Sequence, residues 1–229
     1  MKPIAADPET IKAGRKARLE AIFGALEQTG PASPMYLALR EEFPERYEAI
    51  KEALLAELES DNPANDPEQS AMKLTRTSLA GIKDRVRQSS DESLRKVAAA
   101  QYALLTTLAT SDPEACARYA AQGGDTTLPQ TLEVSRALAG LAAVQIRAAG
   151  DATSAPQTRK SPAPELFAEL VQRMKAGGIT DVQISALAED TLTSLPAADQ
   201  CRVTISLYQS ALGLSPVDAG VLLAAIIKN

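Results

Sequence analysis

The chain has 229 residues, 45% of them hydrophobic and 23% charged, with a net charge of -5, a pI near 5.0 and no histidine. Such a length suits one or two domains around a sizeable core. The missing imidazole excludes Ser-His-Asp and Cys-His catalysis and the HExxH zinc site, and the acidic balance argues against a dedicated nucleic-acid binder.

Helix signals run through the whole chain, and no stretch sustains the apolar/polar alternation of a strand. Asp7-Pro8, Ser33-Pro34, Asp66-Pro67, Asp112-Pro113 and Ser215-Pro216 each place a small polar residue before a proline. That pair opens a helix, because the N–H that proline lacks would be unpaired there anyway. The spacing predicts helices over 8–29, 34–43, 44–60, 67–89, 91–110, 113–122, 129–149, 164–176, 180–194, 196–212 and 216–228. The fold class is therefore all-α, a multi-helix bundle of about ten helices. Apolar stripes support it: Tyr47, Ile50, Leu54 and Leu58, then Leu94, Val97, Leu104 and Leu108, then Leu166, Leu170 and Met174, then Cys201, Ile205, Tyr208 and Leu212. The last helix is apolar nearly all round, which predicts a central place in the core.

Two stretches read as connections. Gly123 to Thr127 is a flexible loop, and Gly150 to Pro164, rich in Ala, Ser, Thr and Pro with Arg159-Lys160 inside it, is a linker open to proteases. The expected organisation is a charged helical hairpin region over 1–62 and a helical bundle over 66–229 that contains the loop at 150–164.

Charge is blocked. Glu41 to Glu68 is strongly acidic and Lys73 to Lys96 is basic, which predicts an antiparallel helix pair with attracting flanks. The basic block puts Lys73, Arg76, Lys83, Arg85 and Arg87 on one predicted helix. An anionic partner is one reading of that patch, and a solvated face paired with its acidic neighbour is the more economical one. No aromatic residues interleave with these cations, so stacking on single-stranded nucleic acid is not expected.

Cys116 and Cys201 are the only cysteines. Each lies in the first two turns of a predicted helix, where a thiol can be activated. Their apolar neighbours favour two inert buried thiols or a Cys116–Cys201 disulfide, and no base is in sight for a catalytic thiol. Adjacent carboxylates such as Glu41-Glu42 and Glu189-Asp190 diverge by about 100° on a helix. No calcium loop, P-loop or dinucleotide fingerprint is present. No catalytic, metal or cofactor-binding residue is therefore assigned, and no cofactor is expected.

The longest strongly apolar run, Val221 to Ile227, falls far short of the roughly 20 residues of a membrane span. Met1 to Asp7 lacks the apolar run of a secretory signal. The expected compartment is the cytoplasm for a full-length chain, or the periplasm if a leader has been removed. The Ala- and Asp-Pro-rich composition is of a bacterial, GC-rich type. The primary expectation is a non-enzymatic module that binds another protein through helix faces, as an adaptor, an assembly factor or an inhibitor/immunity-like partner. Two alternatives stand beside it: a helical carrier of a lipid or small hydrophobic ligand, and a histidine-independent enzyme using carboxylates. An apolar cavity in the back half would favour the carrier, and a continuous exposed apolar patch would favour the adaptor.

Overall fold

The computed structural model describes residues 8–58, 67–79, 81–123 and 128–227, with the backbone alone for 8–12, 67–69, 72, 76 and 83. The described residues form twelve α-helices and no strand. They are α1 (Pro8–Gln28), α2 (Ser33–Glu42), α3 (Pro44–Leu58), α4 (Pro67–Ser78), α5 (Ile82–Val86), α6 (Asp91–Ser111), α7 (Pro113–Gln122), α8 (Leu132–Ser154), α9 (Pro164–Ala176), α10 (Asp181–Ala188), α11 (Ala197–Leu212) and α12 (Pro216–Ile226). The chain divides into two compact units, Met1–Gly81 and Ile82–Asn229.

The division differs from the expected 1–62 and 66–229. α4 packs on α3 and α1, so it belongs to the N-terminal unit. The expected single helix over 67–89 is broken by Gly81, whose φ of +81° lies in the left-handed region that glycine adopts without steric cost. The basic block is thereby split between the units.

In the N-terminal unit Phe23 of α1 sits edge-on to Tyr36 of α2 and Tyr47 of α3, with ring centroids 5.8 and 5.4 Å away. All three rings are buried. Edge-to-face pairs of this kind add about 1 kcal/mol each beyond the area they bury. Tyr47 Oη donates to Glu27 Oε1, and Arg40 pairs with the other oxygen of that carboxylate. Burial and the Glu27 contact push the Tyr47 phenol above its ordinary range. Lys51 buries its stem and places Nζ 2.9 Å from Glu20 and 3.4 Å from Glu48. Burial alone would lower its pKa, but the two carboxylates outweigh it and the net shift is upward. The acidic α3 therefore finds a cation on its own face. Across to α4 its described contacts are hydrogen bonds, from Ser70 Oγ to Glu57 and from Arg46 to the Ser78 carbonyl.

In the C-terminal unit α6 is the central helix, packed by α7, α8, α11 and α12, while α5 lies on α8 and α9 and α10 lean on α11. Caps match the sequence punctuation: Asp112 accepts from Ala115 N, Thr131 from Val134 N, Ser215 from Asp218 N, and Thr180 with Gln183 forms a capping box. At the second predicted start, the residue at the N-cap is Ala32 rather than Ser33, whose hydroxyl donates to the Glu27 carbonyl instead. The predicted helix over 180–194 ends early, because Asp190 takes a left-handed φ of 57° that lets Thr191 N donate back to the Ala186 carbonyl. Such a helix stop favours glycine but tolerates aspartate. α12 buries Ala219, Gly220, Leu222 and Leu223, yet Val217 at its start is exposed, so its apolar surface is only partly central.

The expected linker over 150–164 is corrected in part. Gly150 to Ser154 continues α8, where Gly150 and Ala152 are buried and Asp151 accepts a hydrogen bond from Ser90 N. Burial would raise the Asp151 pKa, but the Ser90 hydroxyl and amide bonds hold it below the usual carboxylate range. Beyond Ser154 the chain leaves helix but remains tied down. Gln157 N donates to the Gln88 carbonyl, and Arg159 donates to the Arg87 and Ser89 carbonyls and pairs with Asp91 at 2.7 Å. Gly220 faces that ion pair: a Cβ there would stand 2.0 Å from Asp91 Oδ1. Of the expected loop at Gly123–Thr127, residues 124–127 lie outside the described residues.

Candidate functional site

The C-terminal unit holds a cavity of about 600 Å³ among α6, α9, α10, α11 and the ends of α7 and α12. Helical arithmetic builds its walls. On α9, Phe167, Leu170, Val171 and Met174 recur at the three- and four-residue spacing that puts side chains on one face. The same spacing aligns Ile184, Leu187 and Ala188 on α10, and Thr204, Leu207 and Tyr208 on α11. Val97 of α6 and Ile226 of α12 add to the apolar lining. Leu170 and Met174 are buried, and Phe167 stands at the rim with 43% of its surface exposed.

Polar side chains interrupt this lining, Gln122 and Gln145 among them. Tyr119 and Gln101 are hydrogen-bonded, with Gln101 Nε2 donating to Tyr119 Oη at 3.1 Å. Thr204 donates to the Gln200 carbonyl at 3.0 Å. Burial raises the Tyr119 phenol, partly offset by Gln101, and burial together with the neighbouring Tyr119 pushes Tyr208 above the ordinary phenol range. Tyr208 Oη has no hydrogen-bond partner among the described residues. Asp190 is the single charged side chain among the described lining residues.

Cys116 of α7 and Cys201 of α11 lie at disulfide distance, their Cα atoms 5.5 Å apart, and both are buried. The pair joins helices across 85 residues of sequence. It also sits one turn from the cavity on each helix: Tyr119 and Ala120 follow Cys116, and Thr204 follows Cys201, at the spacing of a shared face. A bond between them would fix two walls of the cavity to one another.

The predicted basic patch does not assemble on one helix. Lys73 is on α4 of the N-terminal unit, while Arg85 on α5 and Arg87 just after it belong to the C-terminal unit. The side chains of Arg76 and Lys83 lie outside the described residues. Arg85 donates to Thr153 Oγ1 at 2.9 Å, and Arg87 Nε donates to the Ala224 carbonyl at 3.0 Å. Both bonds tie the α5–α6 junction to the rest of its unit.

Among the described residues no three cysteine or acidic side chains gather as a metal-ligand set, and no helix is long and apolar enough to cross a membrane. The sequence reading missed the cavity itself. Its one available signal was aromatic placement: of the four aromatic residues after Gly81, Tyr119, Phe167 and Tyr208 line the cavity and only Tyr102 does not. No family model matches the chain, and no match is found among curated proteins or solved structures.

Proposed function

We propose that the C-terminal unit is a non-enzymatic binding domain that holds a small, mostly apolar ligand in the cavity beneath α9 and α10. The observation that carries this reading is the concentration of apolar and aromatic side chains around a volume of about 600 Å³, within the range of sites for drug-sized ligands. A few convergent polar groups beside a largely apolar wall is the usual make-up of such a site. The alternative of carboxylate catalysis has less support, because the described lining residues include one carboxylate, Asp190, and general acid/base work on a substrate calls for a second group near it. The two cysteines lie at disulfide distance, and a bond between them would leave no thiol for nucleophilic chemistry.

The test is a fluorescence titration of the full chain with phenylnaphthylamine, a neutral apolar dye that brightens on leaving water. One saturable site per chain is expected. Ala120→Phe, which fills the cavity from the end of α7, should weaken that site about tenfold or more. Equal affinity in the wild-type and filled proteins would place the dye elsewhere and reject the reading.

Binding to another protein is the second proposal. It draws on four exposed large apolar side chains, Leu132, Phe167, Val182 and Val217, on α8, α9, α10 and α12. Exposed apolar groups scattered singly are ordinary on protein surfaces, so the cavity has the stronger support.

A further inference from the structure

We propose that the C-terminal unit carries a second site, a groove that binds the phosphate group of a phosphate monoester through Arg87 and Lys160. It is independent of the cavity reading. The groove, of about 590 Å³, lies between α12 and the non-helical strap over 155–163 that joins α8 to α9. Val221, Ala224 and Ala225 recur at three- and four-residue spacing and form its apolar wall. The strap forms the opposite wall, and one ion pair holds both in place. The Arg159 guanidinium pins the strap by donating to Asp91 and to the Arg87 and Ser89 carbonyls. Gly220, having no Cβ, lets Asp91 lie directly against α12.

The charges present in the groove point to the ligand. Asp91 neutralises Arg159, whereas Arg87 and Lys160 have no acidic partner among the described residues. Arg87 donates Nε to the Ala224 carbonyl. A guanidinium held at Nε keeps its two Nη amines as a fork, which matches two oxygens of a phosphate. Lys160, exposed on the strap, adds a point charge. Two uncompensated cations match the charge of about -2 on a phosphate monoester, and a carboxylate would balance only one of them. The Thr158 and Ser161 hydroxyls also line the groove without a partner among the described residues, and each can donate to a phosphate oxygen. The wall of Val221, Ala224 and Ala225 is left for the organic part of the ester.

The experiment is calorimetric titration of the full chain at neutral pH with glycerol 3-phosphate and with acetate, beside co-sedimentation with phosphatidylcholine vesicles that contain or lack phosphatidic acid. The phosphate should bind saturably, about tenfold or more tighter than acetate. Arg87→Gln and Lys160→Gln should each weaken it about tenfold. Lys96→Gln removes the same charge from an exposed pair with Glu92 on α6, outside the groove, and should leave the affinity unchanged. Lys160 has no partner to lose, so its variant keeps the fold and the test stands even if Arg87→Gln loosens α12. Sedimentation with phosphatidic acid vesicles that both groove variants abolish would assign the phosphate to a lipid headgroup. Binding of glycerol 3-phosphate without such sedimentation would assign it to a soluble ester. The inference is overturned if neither phosphate form binds, if acetate binds as tightly, or if Lys96→Gln costs as much as Lys160→Gln. None of these results touches the cavity reading, which the dye titration tests separately.

Discussion

The two units use a small supply of aromatic residues in opposite ways. The N-terminal unit turns Phe23, Tyr36 and Tyr47 toward one another and caps the cluster with Glu27, Arg40 and Lys51. The C-terminal unit turns Tyr119, Phe167 and Tyr208 toward a cavity and brings Cys116 of α7 and Cys201 of α11 to disulfide distance. A tyrosine that hydrogen-bonds a carboxylate in a filled core has a structural role. Tyr208, whose hydroxyl has no hydrogen-bond partner among the described residues, contributes little to stability, and under the proposed reading it is available to a ligand. The difference teaches that packing for stability and packing for binding can be separated within one chain.

The largest effects should come from removing the main support of each unit. Phe23→Ala empties the aromatic cluster and should cost the N-terminal unit about 3–5 kcal/mol. Denaturant unfolding followed by tyrosine fluorescence would measure it, and a loss below about 1 kcal/mol would refute the cluster's role. For the C-terminal unit the counterpart is the double variant Cys116→Ala, Cys201→Ala. Freeing a span of 85 residues should cost about 2–5 kcal/mol and loosen the cavity, while amide exchange in α1–α3 stays unchanged.

A smaller effect is expected from Gly220→Ala. The added methyl must push Asp91 off its ion pair with Arg159, a strain of about 1–3 kcal/mol confined to the C-terminal unit. Faster amide exchange at Ser89 and Ser90 would report it, and unchanged exchange there would show that the close approach is relieved elsewhere.

The finest test compares two equivalent substitutions. Tyr47→Phe removes a hydroxyl that donates to a carboxylate and should cost about 1.5–3 kcal/mol. Tyr208→Phe removes a hydroxyl without a described partner and should change stability by less than about 0.5 kcal/mol in either direction. Equal losses would erase the contrast between the units. Alkaline unfolding adds a common reference. Both phenols have raised folded-state pKa values, chiefly because burial penalises the phenolate, so they cost the fold nothing below pH about 10, where the unfolded phenol titrates, and destabilise it increasingly as pH rises beyond that. Each Phe variant should flatten that alkaline fall.

The helices were legible because their determinants are local. Asp112-Pro113 and Ser215-Pro216 announce their starts, and the stripe through Leu94, Val97, Leu104 and Leu108 is buried as its spacing predicts. The break at Gly81 was not legible, because apolar residues recur at helical spacing on both sides of it and a left-handed φ leaves no trace in composition. Gly150 to Ser154 read as linker because all but Ala152 are weak helix formers. Tertiary contacts override that preference, with Asp151 capping Ser90 and Arg85 reaching Thr153.

Cys116 and Cys201 were legible as a candidate pair but not as a cavity brace. The cavity depends on how far α9 and α10 stand from α6 and α11, a long-range property that no spacing encodes. Phe167 illustrates the point: it belongs to the α9 face with Leu170 and Met174, but only the fold distinguishes a rim residue from a core one.

The central claim is that the C-terminal unit holds a pocket whose apolar face can accept a guest. Xenon pressurised into crystals of the full chain tests this most directly, since the gas settles in apolar cavities and avoids hydrated ones. An ordered xenon peak beside Leu170, Met174 and Leu207 is the predicted result. A peak absent there, with the same space filled by hydrogen-bonded water or closed by collapse of α9 onto α11, would contradict it.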